Sequence, residues 1–166
     1  MKISEPERYK LDFDARKFVV TCSKGSNKFS GFSTSKKPKL YVVSVRGDPI
    51  YVGVTRQPIR NRLRLGWSAS GSSGYYGYKW RHEHKTADLD IWCQLDRPAG
   101  KTNIDIETVE AEVVFLIRCS GQWPPFQTEI HFHVSSPHHR KIAESIAARY
   151  LIGSERLRAE GVKKKG

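Results

Sequence analysis

Cysteine is scarce in this chain, and Cys22, Cys93 and Cys119 are odd in number and far apart. That spacing argues against a disulfide framework and suits reduced thiols in a cytoplasm. Long apolar runs are lacking as well. No stretch approaches the roughly eighteen apolar residues that span a bilayer, and neither a signal-peptide core nor a lipidation motif is present, so the expectation is a soluble, cytoplasmic protein without a membrane partner. Acidic residues are few: 17 Asp and Glu stand against 29 Lys and Arg, a net charge of +12 over 166 residues. Such an excess draws polyanions, because each neutralised phosphate releases condensed counterions, and nucleic acid is the expected partner. The aromatic signature of RRM sheets and the GXXG clamp of KH domains are both missing, although nothing in the chain is exclusive to DNA. At this length a single domain buries a sizeable core.

What the chain does contain is concentrated in Leu40–Arg64. Leu40–Val45 and Ile50–Val54 are rich in β-branched residues and tyrosine, with the turn cluster Arg46-Gly47-Asp48-Pro49 between them, which predicts a β-hairpin. Pro58 suits a helix's first turn, and Ile59 and Leu63 then give an apolar stripe flanked by Arg60, Arg62 and Arg64. Two tyrosines, Tyr41 and Tyr51, are thereby brought close to an arginine. Gly53 suits a strand end that approaches a substrate phosphate, since it has no Cβ to hold the backbone off. Arg60 and Arg64 are candidate phosphate contacts on the same helix.

Downstream, Gly66–Gly77 is a Gly/Ser-rich loop carrying Trp67, Tyr75 and Tyr76, rings that either stack on bases or pin the loop to the core. Tyr78–Lys85 is expected as a short basic helix, with Lys79 placed to meet a phosphate. Asp88–Leu95 alternates like a half-buried strand. Ile104–Arg118 is a helix whose stripe is Ile106, Val109, Val113, Val114 and Ile117, and Glu110 lies on or beside that stripe. Burying an unpaired carboxylate costs several kcal/mol, so such a group shifts its pKa, pairs or binds a metal. Glu107 and Glu112 compete for that role; at 3.6 residues per turn Glu112 points about 200° away from Glu110, so the two cannot serve one site. Thr128–Val134 reads as a further strand, on which His131 and His133 would share a face. With no CxxC nearby, these histidines read as exposed polar positions rather than a zinc site. Lys17–Cys22 is a possible short strand, and Ser136-Pro137 caps and starts a helix closed by Gly153.

Leu40-Tyr41-Val42, then Tyr51-Val52-Gly53, then Arg62-Leu63, resemble the core motifs of the GIY-YIG nuclease family, with Lys39 where the family has glycine. Val109-Glu110 followed by Val113-Val114 resembles its third motif. The resemblance covers roughly Lys37–Gln127. It implies a metal-dependent endonuclease acting on double-stranded DNA, in which Glu110 holds one Mg²⁺ or Mn²⁺, Tyr51 activates water, Tyr41 orients it and Arg62 binds the phosphate, with Arg60 a rival for Arg62. The family's asparagine after the glutamate helix has no counterpart here; Gln122 and Gln127 are the nearest amides. The alternative is a non-cleaving basic module that binds DNA or RNA. The expected fold is α+β: a small three-stranded, mostly antiparallel sheet flanked by helices over residues 37–135, an N-terminal basic arm over 1–36, and a C-terminal helix and basic tail over 136–166.

Overall fold

Runs of alternating side chains collect here into one antiparallel sheet. The computed structural model describes residues 1–72, 74–97, 103–127 and 129–163, with side chains through Tyr150. The strands are β1 (Glu7–Phe13), β2 (Phe18–Cys22), β3 (Lys39–Val45), β4 (Asp48–Thr55) and β5 (Thr86–Cys93); the helices are α1 (Ile59–Ser68), α2 (Ile104–Cys119) and α3 (Pro137–Lys163). The sheet has five strands in the order β2-β1-β5-β3-β4, not three. The fold is α+β, as the sequence predicts, but residues 1–36 are not a free arm. β1 pairs with β5 from Glu7–Ile91 to Asp12–Thr86, and β2 folds back on β1 through a turn in which Asp14 Oδ1 accepts the amides of Arg16 and Lys17.

This addition changes the character of β5. With β1 on one side and β3 on the other it is the middle strand, and from Leu89 to Cys93 every residue is buried, which is why its alternation reads only as half-buried in the sequence. The β3–β4 hairpin closes on Arg46 and Gly47, with φ of 55° and 87°; both central residues are left-handed, as the tightest hairpin turns require. Between Val43 and Ser44 the register shifts, a bulge that lets Pro49 sit in β4 without breaking the ladder. β4 is an edge strand, and its exposed groups are covered: Phe126 N donates to Ile50 O at 3.2 Å, and Val52 N donates to Gln127 Oε1 at 2.9 Å.

Helices cover both faces. On one, α1 and the residues after it meet Tyr9, Leu11, Phe13, Tyr41, Val43 and Leu89; on the other, α2 and α3 meet Leu40, Val42, Val52 and Trp92. α3 is tied to the sheet by Tyr150, whose hydroxyl donates to Asp90 Oδ2 at 2.9 Å while Arg8 Nε holds Oδ1 at 3.1 Å. Three local expectations change. Residues 79–82 form a 3₁₀ turn instead of a helix over 78–85; residues 129–134 join no sheet; and α3 continues past Gly153 to Lys163, glycine costing a helix interior only about 1 kcal/mol. Among the described residues no helix is long and apolar enough to cross a membrane.

Candidate active site at the edge of the sheet

Tyr41 and Gly53 are cross-strand partners, as are Val43 and Tyr51, so the two tyrosines lean toward one another over Gly53. Their ring centroids are 5.9 Å apart. A Cβ on Gly53 would stand 2.7 Å from the Tyr41 hydroxyl oxygen and 2.8 Å from the Tyr51 ring. This gives the glycine a reason the sequence does not supply: it makes room for two phenols.

Arg62 comes from the face of α1 that looks onto those phenols. Its guanidinium lies within hydrogen-bonding reach of Tyr41, 5.6 Å from the ring of Tyr78 and 5.5 Å from that of Tyr75. Arg60, its rival, instead lies over Phe29 at 5.9 Å. Tyr78 is the member that sequence reading missed. Buried beside Trp80, it shares a hydrogen bond of 2.9 Å with the Tyr41 hydroxyl and meets Tyr51 edge-on at 5.5 Å. The available signal was the third tyrosine of Tyr75-Tyr76-Gly77-Tyr78, which follows two that are exposed.

The electrostatics follow from this packing. Burial pushes the Tyr41 hydroxyl well above its ordinary pKa and Tyr78 adds to it, against the pull of Arg62. Tyr51 is raised likewise, by burial and by Tyr41, with Arg62 again opposing. Burial works against the charge of Arg62, but the phenols of Tyr41 and Tyr78 outweigh it and its pKa rises. A guanidinium held by three phenols is fixed in place and fully charged.

The acidic partner arrives from the other face. Glu110 on α2 is 4% exposed. Glu107 is held by His133 at 2.8 Å and Glu112 lies 3.7 Å from Arg140, but no described residue hydrogen-bonds to the Glu110 carboxylate. Burial, then the charges of Glu107 and Glu129, push its pKa up to about 8, with Arg62 opposing. α2 packs against β4, which brings the Glu110 carboxylate within electrostatic range of Tyr51 and Arg62. Glu112, on the far side of the helix, is turned toward α3.

A cleft of about 360 Å³ opens over this group, lined by Tyr51, Arg62, Tyr75, Tyr76, Lys79 and Glu129. Tyr75 and Tyr76 are exposed at 39% and 66%, free to meet a ligand. Trp67 is not among them. It belongs to α1, is buried, packs 4.9 Å from Phe18 and 5.1 Å from Trp80, and donates its indole N–H to Asp14 O at 2.9 Å, so it is a core residue and not part of a nucleic-acid surface. Arg64 is exposed on α1 outside the cleft lining. Lys39 is also turned away: wholly buried, it donates from Nζ to the carbonyls of Ser35 and Lys37 at 2.7 Å each, and burial draws its amine down to about 8. Of the two amides, Gln127 sits at the site, accepting from Val52 N and donating to Glu129 O at 2.8 Å, which straps this segment to β4 beside Tyr51. Gln122 reaches Tyr150 O instead.

Among the described residues no cluster of three or more His, Cys, Asp or Glu side chains is arranged to hold a metal. A site with one buried carboxylate fits Mg²⁺ or Mn²⁺ nonetheless, since these hard ions keep several waters and bind through one or two carboxylates together with substrate phosphates. No protein-family model, curated protein or solved structure matches the chain.

Proposed function

We propose that the chain is a metal-dependent endonuclease of the GIY-YIG kind that hydrolyses phosphodiester bonds in double-stranded DNA. The observation that supports this reading is the group of Tyr41, Tyr51 and Arg62, of which Tyr51 and Arg62 line one cleft, with the buried Glu110 of α2 within electrostatic range of those two. Phosphodiester hydrolysis needs an activated water, a fixed cation against the developing charge and help for the leaving oxygen. Arg62 binds the scissile phosphate, and its three phenol neighbours keep it from swinging away. Tyr41, locked to Tyr78, orients the attacking water. Tyr51 takes that water's proton. Glu110 holds a divalent ion, which when bound lowers the charge barrier at the phosphate.

Tyr51 carries its own proton in the ligand-free chain, so it serves as a base only where added positive charge stabilises its phenolate; Arg62 already pulls in that direction. Lys79 at the cleft rim adds a phosphate contact, and Tyr75 and Tyr76 offer stacking surfaces to bases. A cytoplasmic setting, in which the three free cysteines stay reduced, suits this reading. The second reading, a basic binding module that does not cut, draws on that same protonated Tyr51.

Supercoiled plasmid incubated with Mg²⁺ or with EDTA separates the two. Cleavage with Mg²⁺ alone, lost in Glu110→Gln while DNA affinity in EDTA is unchanged or slightly tighter, is the expected result. The amide keeps the shape of the side chain and removes the charge that attracts a hard cation. Binding without cutting under every metal condition would establish the module.

A further inference from the structure

Residues 129–134 alternate as a strand does, Glu-Ile-His-Phe-His-Val, and run without turn or bend, yet they belong to no sheet. Among the described residues, no backbone hydrogen bond is made by Ile130, His131, Phe132, His133 or Val134. Five consecutive residues therefore leave their N–H and C=O groups open. Ile130 packs against the core, but the two apolar side chains that follow it are open. Phe132 is 80% exposed and Val134 95%, and the neighbouring Phe115 of α2 is 59% exposed. Phe115, Leu116 and Phe132 line a groove of about 550 Å³ between α2 and α3. Large apolar residues grouped beside an unpaired run with a strand's alternation mark a contact surface for protein.

Charge identifies the kind of partner. The chain as a whole is strongly basic, but the groove carries two carboxylates, Glu112 and Glu144, with a single guanidinium, Arg140, between them. The groove itself therefore lacks the positive excess that draws nucleic acid. Two copies of the chain, at +12 each, repel one another over much of their surface; in this groove a two-fold would set the Arg140 of each copy against the Glu112 or Glu144 of the other. An extended run is also self-complementary, because antiparallel pairing with its own copy satisfies both sets of backbone groups from one surface.

We propose that residues 130–134 pair antiparallel with the same run of a second copy, with Phe115, Phe132 and Val134 buried between the two. Gln127 and Glu129 line the cleft immediately before this run, so the pairing fixes two clefts relative to each other. Resting on the nuclease reading, the homodimer then offers one site to each strand of a duplex; the pairing itself does not depend on that reading.

Sedimentation equilibrium of the full chain, in EDTA and without DNA, over 1–100 µM tests it. The expected result is twice the chain mass, with the amides of 130–134 protected from hydrogen exchange. Phe132→Lys with Val134→Lys should raise the dimer dissociation constant by at least about 100-fold, since a charged group then enters a desolvated centre. Both positions are exposed in the single chain, so circular dichroism and Tm should match the wild type. Should the double variant fold poorly, Val134→Glu alone should give the same loss of dimer. A monomer across the whole range overturns the proposal, as does a dimer that survives these substitutions with 130–134 unprotected. Protection of the run at monomer mass, whether by the chain's own C-terminal segment or only after duplex is added, overturns it as well. A dimer that fails to cut plasmid would leave the interface standing and defeat the nuclease reading; a monomer that cuts would do the reverse.

Discussion

The two faces of the sheet are packed from different materials. The α1 face is aromatic, with Tyr9, Phe13, Phe29, Tyr41, Trp67, Tyr78 and Trp80 meeting at tilted and edge-on angles. The α2–α3 face is largely aliphatic, built on Leu40, Val42, Val52, Ile106, Val113, Val114, Ile117 and Ile146. Both exclude water, so both strengthen any charge placed near them. Rings do more than that: phenols offer hydroxyls that share protons and faces that hold a guanidinium, whereas aliphatic side chains only fill space. The hydroxyls and the guanidinium therefore gather on the aromatic face, and the aliphatic face contributes one buried carboxylate, Glu110, from α2. What this teaches is that burial acts on protons on either side, raising Tyr41 on one face and Glu110 on the other, while only the aromatic face supplies hydroxyls that share them.

The sharpest break of that contrast is Tyr51→Phe. Removing only the hydroxyl should lower the cleavage rate by roughly 10²–10⁴, the range of a general base, while the melting temperature with and without Mg²⁺ stays close to wild type. The wild-type rate should climb with pH through about 8, both because Tyr51 must lose its proton and because Glu110, held up to about 8, must lose its own to hold a cation. In the Phe variant the part of that rise due to the phenol disappears, and an unchanged pH–rate profile would remove Tyr51 from the mechanism.

Next in size, Trp67→Ala on the aromatic face and Ile117→Ala on the aliphatic face should cost about 3–5 and 2–5 kcal/mol in urea unfolding, respectively. The two should part company in the folded fraction. Trp67 packs against Tyr78, 5.8 Å away, so its loss should also slow cleavage, whereas Ile117→Ala should cut at the wild-type rate once folded. Equal cleavage losses would mean that the two faces do not divide the work.

A smaller effect is expected at the cleft rim. Tyr75→Ala with Tyr76→Ala should weaken duplex binding by about 1–3 kcal/mol per stacked base and change unfolding little, since Tyr76 is 66% exposed and Tyr75, 39% exposed, touches the folded chain through the Arg62 guanidinium 5.5 Å from its ring.

The last effect is one of stability, measured without divalent ions. Glu110 has its pKa raised from 4.5 to about 8 by folding, so the folded state prefers the protonated carboxyl. The unfolded state releases that proton first, and stability falls as pH rises from about 4.5 through about 8, flattening beyond. Each pKa unit corresponds to about 1.4 kcal/mol at most, less whatever the structure relaxes. Glu110→Gln should therefore melt at a similar temperature near pH 5 and several degrees higher than wild type at pH 8.5. If both proteins respond alike to pH, Glu110 is not the buried carboxyl described here.

Much of this was legible in the residues because it is local. The hairpin from Lys39 to Thr55, α1 after Pro58 and α2 with its apolar stripe each announce themselves by period and by turn chemistry, and the spacing of Tyr41, Tyr51 and Arg62 is set by those elements alone. β1 was missed because Glu7–Phe13 alternates charged and apolar residues over a short length that only pairing with β5 makes a strand. Trp67 was assigned to a loop because Gly66 and Ser68 flank it, yet α1 runs through all three and the ring is drawn into the core by Phe13, Phe18 and Trp80. Thr128–Val134 has a strand's alternation but finds no neighbour in the chain to pair with.

By itself, then, the sequence determined the α+β class, the hairpin and helices of the middle of the chain, the basic charge and the identity of Tyr41, Tyr51, Arg62 and Glu110 as groups in need of explanation. Period and turn preference act over a few residues, so they survive in any one stretch. Tertiary structure alone decided the number of strands, the burial of Trp67, the entry of Tyr78 as partner to Tyr41, and the burial of Glu110 while Glu112 turns to Arg140. Each of these depends on what stands opposite in space, on a neighbouring strand, a ring across the core or Arg140 on the next helix, and desolvation, which sets the protonation of every group in the cleft, exists only once those neighbours have closed around it.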